Sequence, residues 1–254
     1  TDRSRGLGDV YKRQATWSVR REMVLHTADS IKVFVLTKEV KAMIEVCSVL
    51  DVEKYSSEFK VILFDLDDTL YSEKDYVRSG FSQVANLFPE RNEAEARLWT
   101  FFLENRPAID CLLTERHITD ANFKERCLQV YRFHRPQISL YPGVREMLLR
   151  MREQKKKLGL ITDGRPEGQQ AKIDALKIRD VFDKIIVTDE LGGTSFRKPN
   201  PKAFELMAEW FGASFESMCY VGDNKTKDFD APEKLGMHLI WFRNPDGIYK
   251  QAKN

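Results

Sequence analysis

The sequence predicts an α/β fold, a doubly wound parallel sheet with an inserted helical cap. Short apolar runs, mostly closed by polar residues, are typical of buried parallel strands. Segments with helical spacing alternate with these runs, as expected when helices cover both faces of a parallel sheet. The runs are VILF at 61–64, LGLI at 158–161, KIIV at 184–187, MCYV at 218–221 and HLIW at 238–241.

Helices are predicted between these strands from apolar spacing and from end signals. The segment 201–211 begins with Pro201, a residue favoured at the first helical position, and it ends before Gly212. Further helices are predicted at 141–157, 169–176 and 231–235. The alternation predicts a core domain formed by residues 59–71 and 141–254.

One long interval interrupts this alternation. Between the first strand and residue 141, about 70 residues carry no strand pattern. Ser72 to Asp75 resembles a capping box, and short amphipathic segments follow at 94–103, 108–113 and 122–133. Helices inserted between two strands indicate a helical-bundle cap, predicted over residues 72–140. The aromatic side chains expected in its core are Phe81, Trp99, Phe101, Phe102, Phe123, Tyr131 and Phe133.

The front of the chain is interpreted separately. Residues 4–14, SRGLGDVYKRQ, resemble the translation of a sequencing adapter, so residues 1–14 are predicted to be non-native and disordered. Residues 15–58 are predicted to be the remnant of an upstream domain, which would make the protein part of a longer multidomain chain. Within them, 31–36 is expected as a strand, 38–50 as a helix and 51–58 as a linker.

Composition excludes several classes of protein. Of the 254 residues, 42% are hydrophobic and 31% are charged, which is typical of a globular protein. The net charge of +2 gives no strong field for nucleic acid or an anionic membrane, so neither is expected as a partner. No apolar run approaches the roughly 18 residues of a membrane span. Four scattered cysteines without a CxxC pair favour a reducing, cytoplasmic location.

Polar residues follow the predicted strands at the edge where open α/β sheets bind ligands. Several carboxylates gathered there would repel one another unless a cation joined them, and oxygen ligands suit Mg²⁺. An ionised aspartate is a competent nucleophile toward phosphorus, while lysine and threonine side chains bind phosphoryl oxygens. These observations predict Mg²⁺-dependent phosphoryl transfer. The candidate residues are Asp65, Asp67, Thr162, Asp163, Gly164, Lys198, Asp223 and Asp228.

Four motifs occur in order along the chain, each after a predicted strand. They are DLDDTL at 65–70, ITDG at 161–164, RKP at 197–199 and GDNKTKD at 222–228. With these motifs, the sequence resembles the haloacid dehalogenase-like (HAD) hydrolase superfamily over about residues 59–243. The position of the helical insert, between the first and second motifs, resembles the C1 type of cap in that superfamily.

The resemblance implies a role for each catalytic candidate. Asp65 is expected to attack phosphorus, and Asp67 to protonate the leaving group and then activate water. Thr162 is expected to bind the phosphate, together with backbone N–H groups nearby at Asp163 and Gly164. Lys198 is expected to neutralise the charges of the nucleophile and the phosphate.

The resemblance also implies a Mg²⁺ site. The expected ligands are the Asp65 carboxylate, the Asp67 carbonyl and the Asp223 carboxylate. Asp228 is expected either to bind the metal, directly or through water, or to orient Lys198. The family often has Asn where this chain has Asp163, and a further acid would repel the phosphate, so the Asp163 side chain is expected to point away.

The predicted function is hydrolysis of a small-molecule phosphate monoester, such as a sugar phosphate or a nucleotide. One alternative is a phosphomutase of the same superfamily, and another is a non-catalytic module of a bifunctional protein. A 2-haloacid dehalogenase is disfavoured because Asp67 supplies an acid/base group that those enzymes lack. Simpler structural roles remain open for each motif residue, as strand-end caps, turn residues or solvated charges, and they are favoured for Asp68, Tyr71, Tyr76, Arg78, Arg106 and Asp230.

Overall fold

The computed structural model describes the backbone of residues 21–27 and 30–36 and the whole of residues 42–248. The adapter-like residues 1–14 lie outside the described residues. Strands β1 (Arg21–Thr27) and β2 (Ser30–Leu36) pair antiparallel, which confirms the strand predicted at 31–36. They belong to a different compact unit from the one that begins at Ala42.

The second unit contains a six-stranded sheet in which every pairing is parallel. Its strand order is β3-β8-β7-β4-β5-β6, so β4 lies near the centre. This arrangement confirms the predicted parallel α/β fold. The strands are β3 (Ile44–Val46), β4 (Val61–Phe64), β5 (Lys157–Thr162), β6 (Lys184–Val187), β7 (Met218–Gly222) and β8 (His238–Phe242).

Helices cover both faces of this sheet. Successive side chains of a strand point to opposite faces, and in β4 Ile62 and Phe64 enter one apolar cluster while Val61 and Leu63 enter another. Among residues 42–248, no helix has the length and the apolar character needed to cross a membrane. The helices of the core are α5 (Val144–Glu153), α6 (Pro166–Ala175), α7 (Lys202–Phe211), α8 (Lys225–Asp228) and α9 (Asp230–Leu235).

Between β4 and α5 the chain forms a bundle of four helices with its own apolar cluster. Most of the predicted aromatic side chains pack there, but Phe133 at the end of the fourth helix is 60% exposed, so its assignment to the bundle core is wrong. The guanidinium carbon of Arg78 lies over the Trp99 ring, 4.2 Å from the ring centroid. The helices are α1 (Glu73–Ala85), α2 (Arg91–Leu103), α3 (Ala108–Glu115) and α4 (Ala121–Phe133).

The chain enters the bundle after Tyr71 and returns to the sheet domain at Leu140. Tyr71 forms an isolated β-bridge with Leu140 and another with Asp67, so the two connecting segments lie side by side. The capping box predicted at Ser72 is wrong, because the Ser72 side chain makes no capping bond. Asp68 replaces it, since its Oδ1 accepts from the backbone N–H of Glu73 at 2.9 Å.

The segment before β4 corrects two further predictions. The helix expected at 38–50 is wrong within the described residues, because Ile44–Val46 forms β3 and pairs with β8. The linker expected at 51–58 is also wrong. A 3₁₀ helix, Val49–Glu58, occupies this stretch and buries Val52 in the core of the sheet domain. Pairing and packing with distant residues override the local pattern here.

Candidate active site

The candidate nucleophile, Asp65, lies at the carboxyl end of β4. Phe64 is in register with Leu160 of β5 and Val221 of β7, so the residues that follow these three strands meet at one edge. The Asp65 backbone N–H continues the ladder and donates to the carbonyl oxygen of Val221 at 2.9 Å. Its side chain is almost fully buried.

Lys198, which the sequence places 133 residues further on, reaches the same point. Its Nζ donates to Asp65 Oδ1 and, at 2.8 Å, to Tyr220 Oη, and it lies 2.9 Å from Asp228 Oδ1. Burial lowers the pKa of Lys198, but the charges of Asp228 and Asp65 outweigh burial and raise it well above the usual value. Lys198 is therefore a buried cation that forms ion pairs with Asp65 and Asp228.

Three carboxylates converge beside this lysine. Single oxygens of Asp65, Asp223 and Asp228 all lie within 4.8 Å of one another. Burial, opposed by Lys198 but reinforced by Asp228, raises the pKa of Asp65 to about 6. Burial together with the charges of Asp65 and Asp228 raises the pKa of Asp223 to about 9. Such crowding of acids is relieved by a cation, so this buried triad has the chemistry of a metal site.

The two later acids differ in how they are held. Both oxygens of Asp228 have partners, Lys198 at Oδ1 and the backbone N–H of Asn224 at Oδ2, 3.0 Å away. Asp223 Oδ1 accepts a longer bond of 3.4 Å from Thr69 Oγ1. Asp223 is thus held by one long hydrogen bond, whereas both oxygens of Asp228 are engaged and one of them contacts Lys198.

Asp67 lies just past the strand, and its carboxylate is turned away from the acidic triad toward helix α6. Its Oδ1 accepts from Tyr71 Oη and from Lys172 Nζ, the latter at 2.7 Å, while Oδ2 accepts from Gln169 Nε2 at 2.9 Å. Burial raises the pKa of Asp67, but the ion pair with Lys172 and these hydrogen bonds outweigh burial, and the net shift is downward.

The loop after β5 brings together the candidate phosphate-binding residues. Thr162 is fully buried, and its Oγ1 accepts from Gln169 Nε2. Asp163 Oδ1 accepts from Thr188 Oγ1 at 2.9 Å and from the backbone N–H of Lys198 at 3.1 Å. The Asp163 side chain therefore fixes the loop that carries Lys198. Gly164 follows at a φ of +138°, a conformation that suits glycine.

Among the side chains that contact the site but were not candidates from the sequence are Gln169, Lys172 and Tyr220. Gln169 and Lys172 are polar residues on the buried face of α6, which they share with Ile173. Tyr220 lies within an apolar strand and is fully buried. Polar residues at buried positions of predicted elements are the one sequence signal that could have pointed to them.

A cavity of about 510 Å³ opens beside Asp67 between the sheet domain and the helical bundle. Tyr76 and Tyr131 contribute from the bundle, and Arg165 contributes from the loop after β5. Arg197 also lines it and is held by two bonds of 2.7 Å to Asp189. A larger depression of about 720 Å³ lies near Phe133, away from the acidic triad.

Comparisons with known proteins agree with this geometry. Among curated relatives, glyceraldehyde 3-phosphate phosphatase of Pyrococcus abyssi is 30% identical over 207 residues, covering 72% of this chain and 81% of the relative. The enzyme of the same name from Methanopyrus kandleri is 30% identical, with 72% and 84% covered. These names agree with the predicted phosphoric monoester hydrolase.

Solved structures share the fold. The HAD hydrolase YfnB of Bacillus subtilis, solved bound to magnesium, matches with a TM-score of 0.57 at 21% identity, covering 78% of this chain and 90% of that chain. A predicted phosphoglycolate phosphatase of Haemophilus somnus matches with a TM-score of 0.55 at 22% identity, covering 76% and 88%. The family model for haloacid dehalogenase-like hydrolases matches residues 62–242. Its agreement with the motifs and the fold confirms the predicted family, and the chain belongs to the haloacid dehalogenase-like hydrolases.

Proposed function

We propose that this chain is a Mg²⁺-dependent phosphatase that hydrolyses a small-molecule phosphate monoester through an aspartyl-phosphate on Asp65. The main support for the proposal is the difference in contacts between the two oxygens of the Asp65 carboxylate. Its Oδ1 is bound by Lys198, whereas its Oδ2 is buried and has no hydrogen-bond partner among the described residues. Buried polar atoms are nearly always paired, so this oxygen is available to a cation or to phosphorus.

The surrounding side chains fit the two halves of such a reaction. In the first half, an Asp65 oxygen bonds to phosphorus while the ester P–O bond breaks, and a protonated Asp67 gives its proton to the leaving oxygen. Lys198 neutralises the charge of Asp65 and the phosphate, and Thr162 supplies a hydroxyl. In the second half, Asp67 takes a proton from water as the water oxygen attacks phosphorus and the bond to Asp65 breaks.

The acidic triad fits a divalent cation. The carboxylates of Asp65 and Asp223, with the carbonyl of Asp67, are the groups proposed to hold Mg²⁺, and Asp228 is proposed to act through Lys198. When bound, Mg²⁺ would neutralise these carboxylates and the oxygens of the phosphate. The raised pKa values of Asp65, about 6, and Asp223, about 9, support this proposal. Burial is their main cause and repulsion between the acids adds to it, and a bound cation would stabilise the ionised carboxylates against both.

The cavity beside Asp67 supports a small substrate. Its volume of about 510 Å³ lies within the range of small-ligand sites. The helical bundle contributes Tyr76 and Tyr131 to the wall, so the bundle is proposed to act as the cap that covers the substrate. Phosphorylated metabolites of up to sugar or nucleotide size are the proposed substrates, and the names of the relatives place glyceraldehyde 3-phosphate among the first to test.

The cytoplasm is the proposed compartment. The four cysteines, Cys47, Cys111, Cys127 and Cys219, are free thiols. Free thiols are the usual state in a reducing compartment.

Phosphate release from a panel of phosphorylated metabolites, with and without Mg²⁺, tests the proposal. Asp65→Asn removes the nucleophile but keeps its shape, and it is expected to lower the rate at least about a hundredfold. Asp230→Asn is the matched control, because Asp230 forms an exposed ion pair with Lys234 on α9. Equal rates for wild type and Asp65→Asn, or full activity without a divalent cation, would contradict the proposal.

A further inference from the structure

Three side chains donate hydrogen bonds to the Asp67 carboxylate. Tyr71 and Lys172 donate to one of its oxygens, and Gln169 donates to the other. An arrangement of three donors suits a carboxylate, which only accepts hydrogen bonds. Both oxygens are therefore fixed in direction while Asp67 is ionised.

Lys172 is the charged member of these three donors, and none of the four motifs contains it. Its side chain is only 6% exposed, and its Nζ lies 2.7 Å from Asp67 Oδ1. The ring of Tyr76, from the first helix of the bundle, lies 4.3 Å from the same ammonium. A buried charge is costly unless it is paired, and here the partner is a residue with a proposed catalytic role.

Gln169 connects this pair to the phosphate site. It stands one turn before Lys172 on α6, so both side chains share a face of the helix. The same Nε2 group that donates to Asp67 also donates to Thr162 Oγ1. One face of α6 thus fixes Asp67 relative to the hydroxyl that is proposed to bind phosphate.

We propose that Lys172 is a positioning residue for the second half of the reaction, in which phosphorylated Asp65 is hydrolysed. The inference rests on the proposed function. Lys172 holds the Asp67 carboxylate ready to take a proton from water. The water oxygen then bonds to phosphorus, the bond between phosphorus and the Asp65 oxygen breaks, and Asp65 leaves as a carboxylate with inorganic phosphate as the product.

The assignment to the second half follows from the hydrogen-bond geometry around Asp67. In the arrangement present, Tyr71, Lys172 and Gln169 all donate to the Asp67 oxygens. This arrangement suits a group that accepts a proton, as Asp67 must in the second half, rather than one that donates a proton, as in the first half. Loss of Lys172 is therefore expected to slow hydrolysis of the intermediate rather than its formation.

Rapid mixing of the Mg²⁺-loaded protein with 4-nitrophenyl phosphate separates the two halves. Its leaving group departs as a stable anion, so formation of the intermediate needs no acid. For Lys172→Met we expect a burst of nitrophenol whose rate constant stays within about threefold of wild type, followed by a steady state at least about tenfold slower. Accordingly kcat and KM should fall together, while kcat/KM stays nearly constant.

Three further variants complete the test. Lys172→Arg keeps the charge and is expected to recover most of the steady-state rate, whereas Lys234→Met removes a lysine from the exposed pair with Asp230 and should leave both phases unchanged. Tyr71→Phe removes one donor to the same Asp67 oxygen, so a smaller fall in the slow phase is expected. It decides the question alone if Lys172→Met does not fold.

A wild-type steady state in Lys172→Met, or an equal fall in kcat and kcat/KM without a burst, would overturn the role of Lys172. In the latter case the lysine would act on the formation of the intermediate rather than on its hydrolysis. Absence of turnover in the wild type, or turnover in Asp65→Asn, would instead count against the proposed function. The two failures are therefore distinguishable.

Discussion

Lys198 Nζ and Asp228 Oδ1 lie 2.9 Å apart in an ion pair whose two side chains are both fully buried. The same ammonium contacts the proposed nucleophile, Asp65. Removal of the lysine would leave two buried acids without the ammonium that contacts both of them, and breaking a buried pair in this way is strongly destabilising. The position of Asp65 thus depends on a residue that is far away in sequence.

Replacing Lys198 with Met is expected to lower both stability and activity. The free energy of unfolding of the metal-free protein should fall by about 3 kcal/mol or more, because Asp65 and Asp228 lose their buried counterion. Urea unfolding followed by circular dichroism measures this change. Mg²⁺ should restore part of the stability but not the phosphatase activity, and unchanged unfolding would contradict the electrostatic role of Lys198.

Asp223→Asn and Asp228→Asn should differ in their dependence on metal. Asp223 accepts a single hydrogen bond of 3.4 Å, whereas the two Asp228 oxygens contact Lys198 and the backbone N–H of Asn224. We expect Asp223→Asn to raise the Mg²⁺ concentration for half-maximal activity by about tenfold or more. Asp228→Asn should lower kcat with a smaller change in that concentration. Titration of activity with Mg²⁺ measures both, and equal shifts would assign Asp228 to the metal.

The acids of the triad predict how the stability of the metal-free protein varies with pH. Asp65 and Asp223 have pKa values of about 6 and about 9 in the folded protein, both above the value of about 4 in an unfolded chain. Between these values the folded state binds more protons than the unfolded state, so its stability falls as pH rises from about 4 to about 9. Thermal unfolding across this range measures the effect.

Two comparisons sharpen the pH prediction. Asp223→Asn should reduce the fall between about pH 6 and 9, because it removes the triad acid with the higher pKa. Part of the fall should remain, since burial raises the pKa of Glu73 to about 8. Saturating Mg²⁺ should also reduce the fall, since a cation takes the place of the protons. A metal-free protein whose stability rises over this range would contradict the raised pKa values.

Gly222→Ala should displace Asp228. A Cβ at this position would lie 2.6 Å from Asp228 Oδ2, closer than real Cβ contacts allow. We expect a loss of about 1–3 kcal/mol in the free energy of unfolding and reduced kcat, because the carboxylate that holds Lys198 must move. Gly168→Ala gives the opposite expectation for stability. It lies in helix α6, and the nearest atom to its Cβ is 3.7 Å away, so a small gain is expected.

The strands predicted correctly from the sequence are those that carry a clear apolar pattern and pair with strands of the same pattern. The run 61–64 forms β4 with the predicted bounds, because a buried central strand is apolar at every position. The edge strand β3 was missed, because its three residues pair with a strand 196 residues later, as Ile44 does with Ile240. No local pattern reveals such a pairing.

The candidate site, like the fold, was predicted only in part from the sequence. The motifs indicated that Asp65 and Lys198 would meet, and they form a buried ion pair. Lys172 was not predicted to lie beside Asp67, because the helical pattern identifies the buried face of α6 but not which side chain across the sheet domain it meets.

Val52→Ala tests the segment that was expected to be a linker. Val52 is fully buried in the 3₁₀ helix Val49–Glu58 and belongs to the core cluster of the sheet domain. Truncation leaves a cavity, so we expect the free energy of unfolding to fall by about 2 kcal/mol. Lys54→Ala is the matched control, since its side chain is 71% exposed and its ion pair with Asp51 contributes little. Urea unfolding measures both variants. A neutral Val52→Ala would mean that residues 49–58 do not pack on the core in solution.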